Sequence, residues 1–466
     1  REYGCDSSAL DGVVNKYPLD DTNPYLVRDN NKCILCRRCV AVCNKVQGVG
    51  LIGPNGRGFA THIGCAFERP LNTVPCVACG QCINVCPVGA LTERDNTQEV
   101  LDAIADPEKY VIVGTAPSVR VGIGEEFGYP IGTDVEGKMV SAIKALGVEK
   151  VFDVDMAADM TIMEEGTEFL ARLRDPNACL PMITSCSPGW IRYIEYYYPE
   201  LIGHLSTCKS PQQMFGAIMK TYYAEKMKID PAKIVVVSVM PCTAKKFERG
   251  RDHQAASGYP DIDIVLTTRE LAKLLKSQGI DLAKMPASAF DNPIGEGSSA
   301  GLLFGATGGV MEAALRTVYE KVTGKEPPSI DFKAVRGTKG IKTAVVDMDG
   351  TKVKVAVAHT LQNAKTIMEQ IKNGTADYQF VEIMTCPGGC VNGGGQPIQP
   401  AKILNTTDIK TLRAKAIYKS DKKATLRKSH ENPVVKTLYG EYFGEPNSHK
   451  AHEVLHTSYV KRTKFE

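Results

Sequence analysis

The sequence has no long hydrophobic run, no excess charge of either sign and no visible signal peptide. Because no stretch of about 18 apolar residues occurs, we expect no transmembrane helix. The 56 Lys and Arg residues nearly balance the 53 Asp and Glu residues, and the net charge is only +3. That balance argues against a nucleic-acid partner and against a membrane surface. The sequence begins at Arg1 rather than at a methionine, which leaves room for an upstream segment.

Cysteine, in contrast, is abundant, with 16 residues in the chain. Eight of them form two copies of the spacing C-x2-C-x2-C-x3-C, and a proline follows the second copy. The copies are Cys33, Cys36, Cys39 and Cys43, and Cys76, Cys79, Cys82 and Cys86. This spacing is typical of bacterial ferredoxins that hold two 4Fe–4S clusters. Clustered thiols suit metal–sulfur ligation in a reducing compartment, so we expect a cytoplasmic location.

The spacing also assigns each cysteine to a cluster. A tight loop supplies only three of the four thiolates that a 4Fe–4S cube needs, and the fourth comes from the other motif. One cube is therefore predicted on Cys33, Cys36, Cys39 and Cys86, and the other on Cys76, Cys79, Cys82 and Cys43. Zinc is the alternative metal, but two copies of this spacing favour iron–sulfur clusters. Cys5 and Cys65 lie outside the pattern and are interpreted as small buried apolar residues.

After a polar, helical link at 95–109, strands and amphipathic helices alternate, as in an α/β domain. Apolar runs predict strands at Tyr110–Gly114, Lys150–Val154, Pro181–Thr184, Lys233–Met240, Asp263–Leu266, Thr343–Met348, Val353–Ala358 and Tyr378–Met384. Helices are predicted at Lys138–Leu146 and Pro211–Met227. The fold class we predict is an α+β ferredoxin-like domain with two clusters at 1–97, followed by a two-lobed α/β domain. The lobes are placed at 98–270 and 271–425, with a C-terminal helical wrap at 426–466.

Several cysteines follow these strands, at the carboxyl ends where open α/β sheets bind ligands. Cys186 and Cys242 each follow one strand, and Cys386 and Cys390 follow the last strand within a glycine-rich stretch. Glycines let the backbone pack closely against a bulky group. Together with Lys245, these cysteines predict a further metal site between the two lobes, separate from the two cubes.

Three segments resemble the active-site signatures of the FeFe hydrogenases. They are Thr184-Ser185-Cys186-Ser187-Pro188-Gly189-Trp190, Met240-Pro241-Cys242-Thr243-Ala244-Lys245-Lys246 and Glu382-Ile383-Met384-Thr385-Cys386-Pro387-Gly388-Gly389-Cys390. With the ferredoxin motifs ahead of them, the resemblance covers essentially the whole chain. It implies that protons and electrons are interconverted with H2 at an H-cluster between the lobes. That cofactor is a 4Fe–4S cube bridged by one cysteine sulfur to a di-iron unit with CO, cyanide and azadithiolate ligands.

The resemblance also implies roles for individual residues. Cys242, Cys386 and Cys390 match ligands of the cube, and Cys390 matches the bridging ligand. Lys245 and Ser118 match residues that hydrogen-bond cyanide, a small anion suited to a compact lysine charge. The other matching pocket residues are Pro117, Gln212, Met240 and Met384.

A proton route is implied along Cys186, Glu165, Ser206, Glu168 and Arg172. Glu165, Glu168 and Arg172 fall at i, i+3 and i+7 of a predicted helix, Met163–Leu173, and therefore share one face. Without the resemblance, a solvated salt-bridge face would be the simpler interpretation. A group that relays protons works best with a pKa near the working pH.

The first signature departs from the family, which usually has two adjacent cysteines, the first relaying protons and the second ligating the cube. Here the pair is Cys186-Ser187, with serine at the ligand position. Cys186 could turn inward as the ligand, or Ser187 could ligate through oxygen, a harder and poorer iron ligand than thiolate. Cys179 or Cys208, nearby in sequence, could also substitute. We favour Cys186 as ligand or relay, without choosing between the two roles.

The sequence therefore predicts a hydrogenase that carries electrons through two 4Fe–4S clusters. The single-cysteine signature resembles hydrogenase subunits of NAD-linked, electron-bifurcating complexes. This implies a hetero-oligomer whose redox partner is ferredoxin or a flavin- and NADH-binding subunit. A hydrogen sensor or a non-catalytic iron–sulfur assembly factor is the alternative, and Cys186-Ser187 is its main support. A pure electron-transfer module would leave most of the chain without a purpose.

Overall fold

The computed structural model of the protein describes Gly12 and residues 14–464. Its strands are β1 (Leu26–Arg28), β2 (Ile52–Asn55), β3 (His62–Cys65), β4 (Leu91–Glu93), β5 (Tyr110–Thr115), β6 (Lys150–Asp153), β7 (Met182–Ile183), β8 (Ile234–Met240), β9 (Ile264–Thr267), β10 (Ile341–Met348), β11 (Thr351–His359) and β12 (Phe380–Met384). Its α-helices are α1 (Arg38–Ala41), α2 (Gln81–Asn84), α3 (Thr97–Ala105), α4 (Glu136–Lys144), α5 (Asp155–Arg174), α6 (Pro188–Tyr197), α7 (Pro211–Ile218), α8 (Ala224–Met227), α9 (Ala244–Glu248), α10 (Thr268–Ser277), α11 (Ser299–Leu303), α12 (Gly309–Thr323), α13 (Leu361–Lys372), α14 (Ala401–Leu404), α15 (Ile409–Lys423), α16 (Pro433–Leu438) and α17 (His449–Leu455).

The N-terminal region contains two small antiparallel strand pairs, β1 with β4 and β2 with β3. Each cysteine motif runs into a short helix, so that Cys39 lies on α1 and Cys82 on α2. Apolar residues such as Leu26, Ile63 and Ile83 form a separate core beneath these motifs. This is the α+β unit that the cysteine spacing predicted at the start of the chain.

The first large sheet has the strand order β6-β5-β8-β9, and all of its pairs are parallel. Its strands are buried on both faces, and β8 is buried without interruption from Val236 to Met240. Such strands therefore read in the sequence as continuous apolar runs rather than as alternating patterns. Helices α4, α5, α7 and α10 contribute to the apolar core around this sheet.

The second large sheet has the order β10-β11-β12-β7. Strands β10 and β11 form an antiparallel hairpin, and the other two pairs are parallel. The turn of the hairpin is Asp349-Gly350, where both residues have positive φ, as a tight two-residue hairpin turn requires. Alternate residues of β12 reach two different cores, because side chains of a strand alternate between faces.

Strand β7 departs from the predicted division into lobes. Met182 and Ile183 lie within 98–270, which the sequence assigned to the first lobe, yet β7 pairs in parallel with β12 of the second sheet. A two-residue strand carries too little pattern to reveal its partner. The pairing brings the end of the first signature next to the end of the third.

Two helices also differ from their predicted bounds. Helix α5 begins at Asp155 rather than Met163, because its first three turns are buried on all sides and show no amphipathic pattern. The segment predicted as one helix at Pro211–Met227 consists of α7, a π-helical turn at Met219–Tyr223 and α8.

The segment after α15 lies over the first lobe. Val435 and Leu438 of α16 and Val454 and Leu455 of α17 join the core around the first sheet. Just beyond α17, His456 forms an antiparallel bridge with Cys208. Within residues 14–464, no helix is long and apolar enough to cross a membrane.

Candidate active site

A buried cavity lies where the carboxyl ends of the two large sheets meet. Ser118 reaches it from the turn after β5, and Cys242 from the turn after β8. From the second sheet, Cys186 follows β7 and Cys386 follows β12. The cavity therefore occupies the position where α/β sheets bind their ligands.

Four cysteines of the α/β lobes line this cavity, namely Cys186, Cys242, Cys386 and Cys390. Burial and the neighbouring Cys242 raise the pKa of Cys386 well above its ordinary value and that of Cys390 to about 12. Thiols crowded together in this way ionise readily only when they share a metal. Converging soft sulfur donors in a buried cavity fit an iron–sulfur cube.

Glycines of the third signature let its backbone approach two neighbours. Gly389 has a φ of +95°, and a Cβ there would lie 2.5 Å from the Thr307 backbone nitrogen. A Cβ on Gly394 would lie 2.2 Å from the carbonyl oxygen of Cys79 in the ferredoxin-like region. Only glycine fits at either position, which brings the loop that carries Cys390 close to both.

Cys186 and Ser187 have different surroundings. Cys186 lies beside Glu165, and burial together with that carboxylate raises the pKa of the thiol well above its ordinary value. The Oγ atom of Ser187 lies 2.8 Å from Oγ1 of Thr385 and accepts a hydrogen bond from the Thr385 backbone nitrogen at 3.3 Å. Cys186 therefore borders a carboxylate, whereas Ser187 borders the segment that carries Cys386.

The two other cysteines considered as substitute ligands do not reach the cavity. Cys179 is exposed, and the Sγ atom of the buried Cys208 lies 4.0 Å from Oε2 of Glu168. Neither lines the cavity wall. The structure therefore places neither cysteine where the missing cysteine of the first signature would stand.

Lys245 lines the cavity on α9 and makes three hydrogen bonds. Its Nζ atom donates to Oγ of Ser210 at 2.7 Å, to Oε2 of Glu248 at 2.8 Å and to the carbonyl oxygen of Cys186 at 3.2 Å. All three donors of the ammonium group are thus engaged. Glu248 had no predicted role, and its only sequence signal was its position three residues after Lys245 on one helix.

The remaining predicted pocket residues also line the cavity: Pro117, Ser118, Gln212, Met240 and Met384. Ser118 is fully buried, and its Oγ atom has no hydrogen-bond partner among the described residues. An unpartnered buried hydroxyl at a cavity wall indicates a polar ligand atom. Gln212 is already engaged, since Oε1 accepts from Ser238 and Nε2 donates to Glu248.

The predicted proton-route residues lie together beside the cavity. Ser206 Oγ donates to Oε2 of Glu168 at 2.8 Å, and Nη2 of Arg172 donates to Oε1 of Glu168 at 2.6 Å. Among the described residues, no hydrogen bond of full geometry reaches the Glu165 carboxylate, but the Ser206 hydroxyl and the Ser185 backbone nitrogen lie close enough to lower its pKa. Burial and the neighbouring Glu168 raise the pKa of Glu165 to about 8. Glu165 is therefore a neutral acid near pH 7, poised to give up or accept a proton.

The eight ferredoxin-motif cysteines gather around two smaller cavities in sets of four. One is lined by Cys33, Cys36, Cys39 and Cys86, and the other by Cys43, Cys76, Cys79 and Cys82. Each set combines three cysteines of one motif with the last cysteine of the other, which is the grouping that the spacing predicted. Cys65 is fully buried outside both sets, and Cys5 lies outside the described residues.

Comparison with known proteins assigns this arrangement to a family. Residues 109–394 match the family model described as the iron only hydrogenase large subunit, C-terminal domain. The chain belongs to the iron-only hydrogenases. Residues 407–462 of the hydrogenase match the iron hydrogenase small subunit, and residues 23–92 match the ferredoxin-like domain of NADH-quinone oxidoreductase subunit 3.

Relatives of this hydrogenase cover most of its length. It is 46% identical over 470 residues to the NADP-reducing hydrogenase subunit HndD of Solidesulfovibrio fructosivorans, with 100% of this chain and 80% of the relative covered. It is 46% identical over 446 residues to iron hydrogenase 1 of Clostridium pasteurianum, covering 95% and 77% of the two chains. A variant of FeFe hydrogenase HydA1 from Chlamydomonas reinhardtii superposes with a TM-score of 0.70 at 43% identity, covering 79% of this chain and 100% of that chain.

These findings confirm the predicted activity. The chain is an FeFe hydrogenase catalytic subunit that acts on H2 and protons, and its family carries iron–sulfur clusters and an H-cluster. An electron-transfer module alone does not explain a family match that spans both α/β sheets. The ferredoxin-like region and the catalytic sheets thus form one enzyme.

The ferredoxin-like region of the hydrogenase contacts the active-site wall directly. Thr243 Oγ1 donates to the carbonyl oxygen of Ala78 at 2.7 Å, and Gln81 Nε2 donates to the carbonyl oxygen of Asn392 at 3.0 Å. Cys79 lines both its own cluster cavity and the active-site cavity. A cluster held by Cys79 would therefore lie next to the catalytic cavity, with packed protein rather than solvent between them.

Proposed function

We propose that this hydrogenase holds two 4Fe–4S clusters on its ferredoxin-motif cysteines and an H-cluster in the cavity between the sheets. The main support is the convergence of Cys242, Cys386 and Cys390 on a buried cavity that Cys79 also reaches. When bound, the H-cluster supplies the iron site at which protons and electrons combine to H2. The protein provides the thiolates, excludes water and moves protons.

The proposed roles of Cys186 and Ser187 follow from their surroundings. Cys186 borders the neutral acid Glu165, which suits a thiol that passes protons on. Ser187 is hydrogen-bonded to Thr385, the residue before Cys386, and thus lies on the side of the cube ligands. We assign proton relay to Cys186 and the fourth position around the cube to the Ser187 hydroxyl.

Protons would then travel along residues of α5 and the loop after His204. Arg172 holds one oxygen of Glu168, and Ser206 donates to the other, which keeps that carboxylate aimed inward. Glu165 stands next on the same helix face and borders Cys186. Each group is a proton donor or acceptor within a buried strip, so a proton can move without an open water channel.

An infrared spectrum of the matured holoenzyme in the carbonyl and cyanide region, with and without H2, tests the cofactor. Bands that shift under H2 are expected. If such bands are missing while iron analysis shows the ferredoxin clusters intact, the H-cluster assignment is wrong.

Electron paramagnetic resonance and Mössbauer spectra of two variants test the assignment around the cube. Ser187→Cys should change the cube signals, because thiolate replaces a harder oxygen donor. Cys186→Ser should keep the cube signals and lose turnover. Loss of the cube in Cys186→Ser would instead make Cys186 a ligand and overturn the assignment.

We also propose that the chain works within a multi-subunit complex whose other subunits are its electron partners. Its relative HndD, 46% identical along the full chain, is named a subunit of an NADP-reducing hydrogenase. A ferredoxin or a flavin- and nicotinamide-binding subunit would accept electrons from the exposed loop around Cys36. The isolated chain should reduce ferredoxin or viologen dyes with H2 but not NADP⁺. Direct NADP⁺ reduction by the isolated chain would contradict the need for a partner.

A reducing compartment, as expected for a cytoplasmic enzyme, is part of the same proposal. None of the fifteen cysteines that the structure describes forms a disulfide. Thiols in this number stay reduced where glutathione and thioredoxin operate.

A further inference from the structure

A glycine-rich loop follows Cys390 beside the active-site cavity. It spans residues 391–397, with three consecutive glycines at 393–395, and we call it the glycine loop. Cys390, at its entrance, lines the cavity. Near its end, Nε2 of Gln396 donates to the carbonyl oxygen of Ser118 at 2.8 Å, and Ser118 lines the same cavity. The shape of this loop therefore affects the positions of two residues at the proposed cofactor site.

The glycine loop depends on its neighbours for its shape, because glycine has the greatest backbone freedom of all residues and no side chain to pack. Every carbonyl oxygen of residues 391–397 accepts a hydrogen bond from a group outside the loop. The donors are Arg413 for Val391 and Pro397, Gln81 for Asn392, Asn84 for Gly393, and Arg269 for Gly394, Gly395 and Gln396. Two arginines thus supply most of the hydrogen bonds that hold the loop.

Arg413, on α15, spans the glycine loop from its first residue to its last. Its Nη1 atom donates to the carbonyl oxygen of Val391 at 2.9 Å, and Nη2 donates to that of Pro397 at 3.1 Å. The guanidinium group also forms a bidentate pair with Glu125, in which Nε donates to Oε1 and Nη2 to Oε2, each at 2.7 Å. The two side chains are only 1% and 2% exposed. This pair fixes the plane of the guanidinium group, and with it the direction of the bonds to both ends of the loop.

Arg269, on α10, holds the second half of the glycine loop in a similar way. Its Nη2 atom donates to the carbonyl oxygen of Gly394 at 2.7 Å, and Nη1 donates to that of Gln396 at 2.5 Å. Its bidentate partner is Glu93 of the ferredoxin-like region, with Nε–Oε1 and Nη2–Oε2 distances of 2.9 and 2.6 Å. The glycine loop is therefore held by one guanidinium group from α15 and by another that is anchored to the ferredoxin-like region.

We propose that Arg413 and Arg269 are positioning residues, which hold the glycine loop so that Cys390 and Ser118 keep the geometry of the H-cluster site. This inference rests on the proposed function, in which Cys390 and Ser118 belong to that site. A buried ion pair by itself adds little net stability, because lost hydration offsets the attraction. The feature that the two pairs share is the set of further donors that reach the loop, and outer contacts of this kind orient the ligands of a metal site. Neither arginine lies in the three signatures, and the sequence predicted no role for either.

Arg413→Lys and Arg269→Lys are the variants that test this role. Lysine keeps the positive charge but has a single nitrogen in place of the planar fork. At position 413 it can pair with Glu125, but it cannot join Val391 to Pro397 at the same time. The variants therefore release the loop without leaving a buried carboxylate unpaired.

Hydrogen–deuterium exchange of the matured holoenzymes, read by mass spectrometry of peptides that contain residues 391–397, reports on the loop itself. We expect exchange to be roughly 10-fold faster in both variants, the factor that one lost hydrogen bond to a charged group contributes. The carbonyl and cyanide infrared bands of the same samples should shift and broaden. Turnover with viologen dyes should fall by roughly 10- to 100-fold, since a displacement of about 1 Å at a reacting site costs up to about 100-fold.

The matched control is Arg316→Lys. Arg316 is fully buried and pairs with Glu312 and Asp421, but its further donors reach the carbonyl oxygens of Ile330 and Arg427 instead of the glycine loop. Arg316→Lys should lower the unfolding temperature and leave the loop exchange and the infrared bands as in the wild type.

Three results would overturn the proposal. The first is wild-type loop exchange and wild-type infrared bands in both test variants, whatever their turnover. The second is equally fast loop exchange in Arg316→Lys, since the effect would then be a general loss of stability. If Arg413→Lys does not yield folded protein, Glu125→Gln takes its place, because it leaves Arg413 without its ionised partner. The third is wild-type exchange and bands in Glu125→Gln.

Cys390→Ser separates failure of this inference from failure of the proposed function. If matured Cys390→Ser keeps the wild-type infrared bands, the assignment of Cys390 to the H-cluster is wrong, and the positioning role is lost with it. If Cys390→Ser loses the bands while both arginine variants match the wild type, only the positioning role is wrong.

Discussion

Replacing Glu165 by Gln should inactivate the enzyme and stabilise it at alkaline pH. The amide has nearly the shape of the protonated acid but cannot release a proton. Since a positioned acid or base contributes about 10²- to 10⁴-fold to a rate, we expect turnover to fall by at least about 100-fold. The fold should tolerate the change, because the amide keeps an oxygen that can accept from the nearby Ser206 hydroxyl and Ser185 backbone nitrogen.

The gain in stability follows from the raised pKa of Glu165. Burial and Glu168 raise it from an ordinary value of 4.5 to about 8. The folded protein therefore keeps the proton up to about pH 8, whereas the unfolded chain loses it above pH 4.5. Unfolding becomes easier as pH rises between these values, by up to about 5 kcal/mol at 1.36 kcal/mol per pKa unit. Glutamine has no such titration, so the variant avoids this loss.

Trp190, the single tryptophan, is fully buried and reports unfolding by fluorescence. The unfolding midpoints of the wild type and of Glu165→Gln should agree near pH 5. Near pH 8, the midpoint of the variant should be higher than that of the wild type. Glu165→Asp is the matched control, because it keeps a carboxyl group and should retain the pH dependence and part of the turnover. Equal pH dependence in wild type and Glu165→Gln would refute a buried neutral acid. Normal turnover in the variant would refute its place in the proton route.

Three further predictions concern close packing and buried ion pairs of the fold. In Gly394→Ala the new Cβ would lie 2.2 Å from the carbonyl oxygen of Cys79 and force the two backbones apart. We expect a loss of about 1–3 kcal/mol of stability and slower dye-linked turnover. The control Gly440→Ala, with open space around the glycine, should leave both the melting temperature and the turnover unchanged. Lys245→Met should lower stability by about 3–5 kcal/mol, because it leaves the buried Glu248 without its ion-pair partner. Adding Glu248→Gln should restore part of the lost stability, measured as a higher unfolding midpoint, and an unchanged midpoint in the double variant would contradict the pairing. Asp421 accepts hydrogen bonds from Arg316, Arg336 and Arg427. The hydrogen bonds from Arg316 and Arg427 hold the pKa of Asp421 below its ordinary value of 3.8, although burial acts in the opposite direction. The ionised Asp421 stabilises the fold above pH 3.8, and this contribution is lost as the pH falls below that value. Asp421→Asn should therefore lower stability at pH 7 and weaken the dependence of the unfolding midpoint on pH below 3.8. An unchanged pH dependence in the acid range would contradict this.

The local features of this hydrogenase could be predicted from the sequence alone. The ligand geometry of a 4Fe–4S cube restricts how far apart its cysteines stand, and the grouping of Cys86 with the first motif and of Cys43 with the second therefore follows from spacing. Buried parallel strands leave apolar runs, so the strands from β5 to β12 were predicted to within about two residues, in keeping with the usual uncertainty of element boundaries. The i, i+3 and i+7 spacing placed Glu165, Glu168 and Arg172 on one helix face for the same local reason.

Only the tertiary structure decided how distant segments meet. The pairing of β7 with β12 depends on contacts between residues about two hundred positions apart, which no local pattern encodes. The same packing sets Cys186 against Glu165 and Ser187 against Thr385, and it raises the pKa of Glu165 by removing water. It also brings His456 of the C-terminal segment to Thr207 and Glu164. Burial and long-range hydrogen bonds are properties of the folded chain, so the chemistry of these groups became visible only there.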